Sequence, residues 1–206
     1  MNSILTVQTP AVDRSLLSLS DLRTATRSTT ASDADLMDLG DEVASAIARY
    51  CKVAQAGATP VTMREETLVE VFRDVSCAAE IVLARWPLVS VTSITEDSVA
   101  LTASDYEPDA APGFLYRLAS DTRVEWSTAK TTVVYVAGWA TVPEDLKLAA
   151  KKLASFYWSQ QVRDPLIRGI TIPDVIEKQF WVGDSTKGRG IPEDVANLLR
   201  PFSDRR

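Results

Sequence analysis

The segment Thr141–Gln160, TVPEDLKLAAKKLASFYWSQ, leaves this 206-residue chain the fewest options. Leu146, Ala149, Ala150, Leu153 and Tyr157 recur at the spacing of one helical face. Thr141 is placed to cap that helix, Pro143 sits near its first position, and Glu144 and Asp145 complement its positive end. Leu148, Phe156 and Trp158 fall off the stripe. A helix apolar on more than one side must bury more than one side. Leu146, Ala149, Ala150 and Leu153 are therefore assigned to the chain's own core. Leu148, Phe156 and Trp158 are assigned to a neighbouring subunit or to the late segment around Phe180 and Trp181.

A second helix is expected from Ser32 to about Lys52. Ser32 is its N-cap, with Asp35 in the capping-box position, and Leu36, Leu39, Val43, Ile47 and Tyr50 form its stripe. Ahead of it, residues 1–31 read as a Ser/Thr-rich arm with one short helical turn capped by Ser20. From Met63 the period changes from 3.6 to 2. ETLVEVFR, Glu66–Arg73, alternates with Leu68, Glu70 and Phe72 on one side. Further strands are expected at 79–84, 89–95, 99–103, 113–118, 123–126 and 131–137. Short spacings and turn residues between them indicate antiparallel pairing. DYEPDAAP, 105–112, reads as a loop.

After the central helix, Ile170, Ile172, Val175, Ile176, Phe180 and Trp181 make 163–190 too apolar for a plain linker. IPEDVANLLRPF then opens a last short helix at Pro192, which Pro201 is expected to stop. The chain thus reads as α+β. Its helical core has two main antiparallel helices plus a short C-terminal one, with a large antiparallel β-rich insertion between them. The segments are 1–31, 32–62, 63–140, 141–162 and 163–206.

Composition removes several chemistries. There is no histidine, hence neither the commonest general base nor the commonest metal ligand. Net charge is −6, which argues against gripping nucleic acid by bulk electrostatics. The balance is uneven: 1–146 hold 11 basic and 21 acidic residues, whereas 147–206 hold 11 and 7. Cys51 and Cys77 read as buried thiols rather than a disulfide framework. The opening residues show no signal-peptide pattern, and no apolar run approaches a membrane span. The S-x-x-K string at Ser127 and Lys130 lacks its companion motifs, and Gly183–Gly190 does not keep the phosphate-loop order. No catalytic, cofactor or metal residues are assigned. One reading of a different class remains, a β-rich carbohydrate-binding or hydrolase module. It would use the five tryptophans and the pairs Glu96 with Asp97 or Asp105 with Glu107.

The order of elements resembles a known family. RWPLVSVTSITEDSVALTASDYEPD is followed by GFLYRL, by TTVVYVAGWATVPEDLKLAAKKLASFYW and by a closing IPEDVANLLRPF. The V-x-Y-x-A-G-W joint running into V-P-E-D-L-K, and the final I-P-x-x-V-x-x-L-L-x-P-F, are its most specific parts. Together they resemble the head–tail connector (adaptor) proteins of tailed bacteriophages, the ring proteins beneath the portal, over roughly residues 15–202.

The resemblance implies a closed ring, typically twelve-fold, in the virion neck, with no enzymatic activity. Its implied partners are the portal protein, a stopper or tail-side neck protein, further copies of itself, and double-stranded DNA passing without specific binding. A stopper or tail-completion protein of the neck is the near alternative. Ile191, Pro192, Val195, Leu198, Leu199, Arg200, Pro201 and Phe202 become the portal-docking residues, with Arg205 and Arg206 as charge partners. Leu148, Phe156 and Trp158 become the subunit interface. Asp33, Asp38, Asp41 and Glu42, clustered on the first helix, become candidate channel-lining carboxylates.

Overall fold

The computed structural model describes residues 2–73, 75, 78–126, 130–161, 169–172, 176–179 and 191–203. The chain divides into two compact units, one of Met1–Arg14 with Lys52–Val142 and one of Ser15–Cys51 with Pro143–Asp204. The chain is α+β, with helices and antiparallel sheets as the sequence led one to expect.

The first unit is built mainly of strands, with one 3-10 turn at Ala103–Asp105. Its larger sheet contains β1 (Asn2–Thr9), β2 (Glu66–Arg73), β4 (Leu88–Glu96), β5 (Val99–Ala100) and β9 (Thr131–Ala137), in the order β1-β2-β9-β4-β5 and antiparallel throughout. The smaller sheet contains β3 (Glu80–Val82), β6 (Tyr106–Asp109), β7 (Phe114–Ala119) and β8 (Thr122–Val124). β6 lies along one edge of β7, while β3 and β8 share the other, on its first and second halves.

Alternation places Leu68 and Phe72 of β2, Val133 and Tyr135 of β9, and Ile94 of β4 in a single core with Ile81, Leu115 and Trp126. The Trp126 indole N–H donates to the Leu115 carbonyl at 3.2 Å, which satisfies its polar atom inside that core.

The second unit is helical. It holds α1 (Leu19–Thr26), α2 (Asp33–Tyr50), α3 (Glu144–Gln161) and α4 (Glu193–Ser203), with a hairpin of β10 (Gly169–Ile172) and β11 (Ile176–Gln179). α3 packs against α1, α2 and α4. Leu146, Ala149, Ala150 and Leu153 of α3 are all buried, as are Leu36, Leu39, Val43 and Ile47 of α2. Small residues on α3 let its neighbours approach closely. Gly40 of α2 shows the same economy, because a Cβ there would meet Ser15 Oγ at 2.7 Å.

Several local expectations need correction. Ser32 caps α2 as read, accepting from the Asp35 N–H at 3.1 Å. The cap of α1 is Ser18, not Ser20; Ser18 and Asp21 form a reciprocal box. In α3 the first helical bond runs from the Lys147 N–H to the Pro143 carbonyl, so Thr141 lies outside the cap position. Pro201 does not stop the last helix. α4 continues to Ser203, whose hydroxyl donates to the Arg200 carbonyl at 3.0 Å.

β1 lies in what read as a polar arm, because its Ser and Thr side chains hid a strand that needs β2 to form. The loop expected at 105–112 contains β6. Pro108 is tolerated there because β6 is an edge strand.

Candidate functional site

The helical unit carries most of the residues singled out from the sequence. α4 opens when the Pro192 carbonyl accepts from the Ala196 N–H at 2.9 Å. Its apolar stripe turns onto the unit, where Val195 and Leu199 are buried. Two ties hold it there. Lys152 Nζ lies 2.8 Å from Asp194 Oδ2, and the Tyr50 hydroxyl donates to the Ala196 carbonyl at 3.5 Å. The Lys152 ammonium hydrogen-bonded to Asp194 lowers that carboxyl's pKa below its usual value. Val195 and Leu199 thus use their apolar surface inside the unit and do not offer it to a partner. Ile191, Pro192, Leu198 and Phe202 are half-buried, and Arg200 and Pro201 are exposed. Arg205 and Arg206 lie outside the described residues.

On α3 the off-stripe residues divide. Leu148 is 45% exposed, whereas Phe156 and Trp158 are half-buried. Phe156 meets the Tyr157 ring at 6.0 Å between centroids. Phe180 and Trp181, the intramolecular alternative for this face, lie outside the described residues.

Of the four carboxylates read from the first helix, Asp38, Asp41 and Glu42 share one face of α2 by their spacing. Asp33 is ion-paired with Arg23 of α1. Asp41 and Glu42 also border an open groove between α2 and α3, lined by Ser45, Ala46, Arg49 and Tyr157. Burial, with Glu42 nearby, raises the Tyr157 hydroxyl's pKa.

The β unit contains a buried polar network that sequence reasoning did not identify. Glu66 and Glu70 lie on the core face of β2, at the parity of Leu68 and Phe72. Glu70 accepts from the Tyr135 hydroxyl at 2.9 Å, the Ala84 N–H at 2.9 Å and the Ser3 hydroxyl at 2.6 Å. Glu66 faces Arg85 at 3.5 Å, and Arg85 Nη1 donates to the Thr62 carbonyl at 2.8 Å. Burial raises the Glu66 pKa and lowers that of Arg85, each opposed by the partner's charge. The available signal was charge at core parity, already visible in Glu70.

Three of the four carboxylates weighed for hydrolysis are engaged by other groups. Glu96 lies 3.4 Å from Arg117, and Glu107 lies 2.8 Å from Arg123. Hydrogen bonds from Thr102 lower the Asp105 pKa, the reverse of what a general acid needs. Among the described residues no cluster is suited to hold a metal, and no helix is long and apolar enough to cross a membrane. Cys51 is buried, and burial pushes its thiol up to about 12, an inert setting. Cys77 lies outside the described residues.

The sequence model of the head completion protein family matches residues 15–178, most of the chain. The chain belongs to the head completion protein family. Structures of similar fold come from gene transfer agent (GTA) particles. One is a chain from the virion of a native particle, at 15% identity and a TM-score of 0.62, covering 98% of this chain and 96% of that one. A second is from the neck of an empty particle computed with C6 symmetry, at 18% identity and a TM-score of 0.61 with the same coverage. A third is from the neck of a native particle computed with C12 symmetry, at 15% identity and a TM-score of 0.61. No curated protein matches the chain. The family match ends before α4, whereas the likeness of fold extends over nearly the whole chain.

Proposed function

We propose that this head completion protein is a structural adaptor of the head–tail neck. It forms a ring beneath the portal, extends the DNA channel, and offers a surface to the stopper or tail-side protein, without catalysis. The observation that carries this reading is the family match over residues 15–178, joined to a fold shared along its full length with neck proteins. Twelve copies are favoured because one such neck was computed with C12 symmetry.

The physical features are consistent with that role. Leu148 on α3 and the exposed surface of α4 are available to partners. A net charge of −6 suits a conduit through which phosphates must slide without being held. Asp38, Asp41 and Glu42 are the channel-facing carboxylates in this reading.

A pull-down with purified portal and, separately, tail-side neck proteins tests it. Truncation of α4 would be ambiguous, because it removes Val195 and Leu199 from the unit's core. Leu198→Asp combined with Arg200→Glu changes only half-buried and exposed positions. The double variant should melt like the parent and lose portal capture. Undiminished capture removes the docking assignment, and capture by the tail-side protein alone moves the chain lower in the neck.

A further inference from the structure

The edges of the two sheets are built differently. In the smaller sheet, β6 carries Pro108 between Glu107 and Asp109, and β3 and β8 have three residues each and include Glu80 and Arg123. Proline, charge and shortness are the usual means of keeping an edge from pairing with another chain. In the larger sheet the far edge, β5, is also short, at two residues, but β1 has none of these features. β1 is eight residues, NSILTVQT, with neither charge nor proline. One side of it pairs with β2, and among the described residues no strand lies on the other. Ile4 is 61% exposed, and Thr6 and Gln8 are also exposed. At the far side of the sheet, among the described residues, β5 pairs with Thr95 and Glu96 of β4, the Leu101 N–H donates to the Ile94 carbonyl, and the Leu88 N–H donates to the Ala110 carbonyl, which brackets Val89–Ser93. The preceding stretch Val89–Ser93 is uncharged, and Val89 is 53% exposed.

Strand direction makes these two edges complementary. Each neighbouring pair in β1-β2-β9-β4 is antiparallel, so β1 and β4 run in opposite directions. When copies are related by rotation about an axis roughly along the strands, β1 of one copy meets β4 of the next antiparallel. Two different surfaces then touch, as a closed ring requires. Two β1 strands would pair antiparallel only about a two-fold axis, which closes a dimer and cannot propagate. Register shifts between Leu88 and Ser90 and between Val91 and Ser93 interrupt the ladder of β4, and such bulges confine an added strand to the short regular stretches between them.

We infer that β1 adds to the Val89–Ser93 edge of β4 in a second copy of this chain, continuing the larger sheet from subunit to subunit. Main-chain hydrogen bonds supply the contact, and the uncharged side chains of both strands allow it. The inference rests on the ring reading above.

Hydrogen–deuterium exchange of the full chain, free and in the assembled neck, tests it. Amides of residues 3–9 and 89–93 should both exchange at least about tenfold more slowly in the assembled state. A ring whose assembly leaves either segment's exchange unchanged overturns the strand addition while the ring stands. Protection of residues 3–9 that appears only when a different neck protein is added overturns the second-copy assignment. A chain that never enters a ring removes the ring reading and this inference together. As a second measurement, Ile4→Lys with Thr6→Lys places charge on exposed positions, so the free chain should melt unchanged. Its half-assembly concentration should rise by about tenfold or more, since cross-strand pairing is lost. An unchanged concentration overturns the proposal.

Discussion

Lys152 Nζ and Asp194 Oδ2 stand 2.8 Å apart and join the central helix to the last one. A matching pair, Lys151 Nζ and Asp21 Oδ1 at 2.8 Å, joins the same helix to α1. Consecutive lysines on α3 thus clasp two different helices. Both aspartates have lowered pKa values, chiefly through the lysine hydrogen bonds. A carboxyl whose folded pKa is depressed adds stability above its unfolded value of about 4 and loses it as pH falls through the folded value. The helical unit should therefore weaken on acidification below about pH 4, more in the parent than in an Asp21→Asn, Asp194→Asn variant. Both pairs are partly exposed, so solvent screening limits each to about 0.2–1 kcal/mol at neutral pH. Thermal melts of the two proteins between neutral pH and pH 3 check the sign. Parallel pH profiles would show that the clasps add nothing.

The two leucines of the last helix should separate stability from assembly. Leu199 is buried and Leu198 is half-buried. Leu199→Ala should cost about 2–5 kcal/mol in chemical denaturation, and Leu153→Ala on the facing helix should cost a similar amount. Leu198→Ala should cost less than either. Equal effects of the two α4 substitutions would mean that the helix does not rest on the unit through Leu199.

Removing Arg85 should be costlier than neutralising Glu66. Arg85→Ala leaves the Glu66 carboxylate buried with its cationic partner gone, a loss of about 3–5 kcal/mol. Glu66→Gln keeps the shape and removes a charge whose burial is already unfavourable, so its cost should be smaller. Because burial raises the Glu66 pKa, its ionisation opposes folding as pH rises from the unfolded towards the folded value. Urea midpoints for the two variants at pH 5 and 7 measure both effects.

Gly138 sits at φ +111°, where a Cβ would meet the Arg64 carbonyl oxygen at 2.3 Å. Its N–H also donates to the Pro87 carbonyl at 2.9 Å. Gly138→Ala should destabilise the β unit by at least about 2 kcal/mol, since neither backbone can give way cheaply. Denaturant unfolding followed through tryptophan fluorescence will register it. A cost below that of an ordinary surface substitution would contradict the close approach.

Much of the fold was legible because its signals are local. The stripe from Leu36 to Ile47 and the cap at Ser32 mark α2 without any partner. Val133, Tyr135 and Ala137 alternate with half-buried residues just as the period-2 reading of β9 requires. The misses share a physical cause. β1 becomes a strand only by pairing with β2, 58 to 71 residues away, and nothing in NSILTVQT itself demands it. Pro201 fits the last turn of a helix already held by Val195 and Leu199, so tertiary packing overrode a local stop signal. The Glu66–Arg85 pair was not legible because a charge in β2 and another in the loop between β3 and β4 reveal nothing of their distance.

By itself the sequence determined the alternation of period, the excess of apolar surface on Thr141–Gln160, the absence of histidine and the order of motifs. Those features depend only on neighbours along the chain. The tertiary structure alone decided which apolar surface is already spent. It turned Val195 and Leu199 inward and left Leu148 outward, and it placed β1 and β4 at opposite sides of one sheet. Burial and edge position arise from contacts between distant segments. Whether a residue is free for a partner therefore becomes readable only when those contacts have formed.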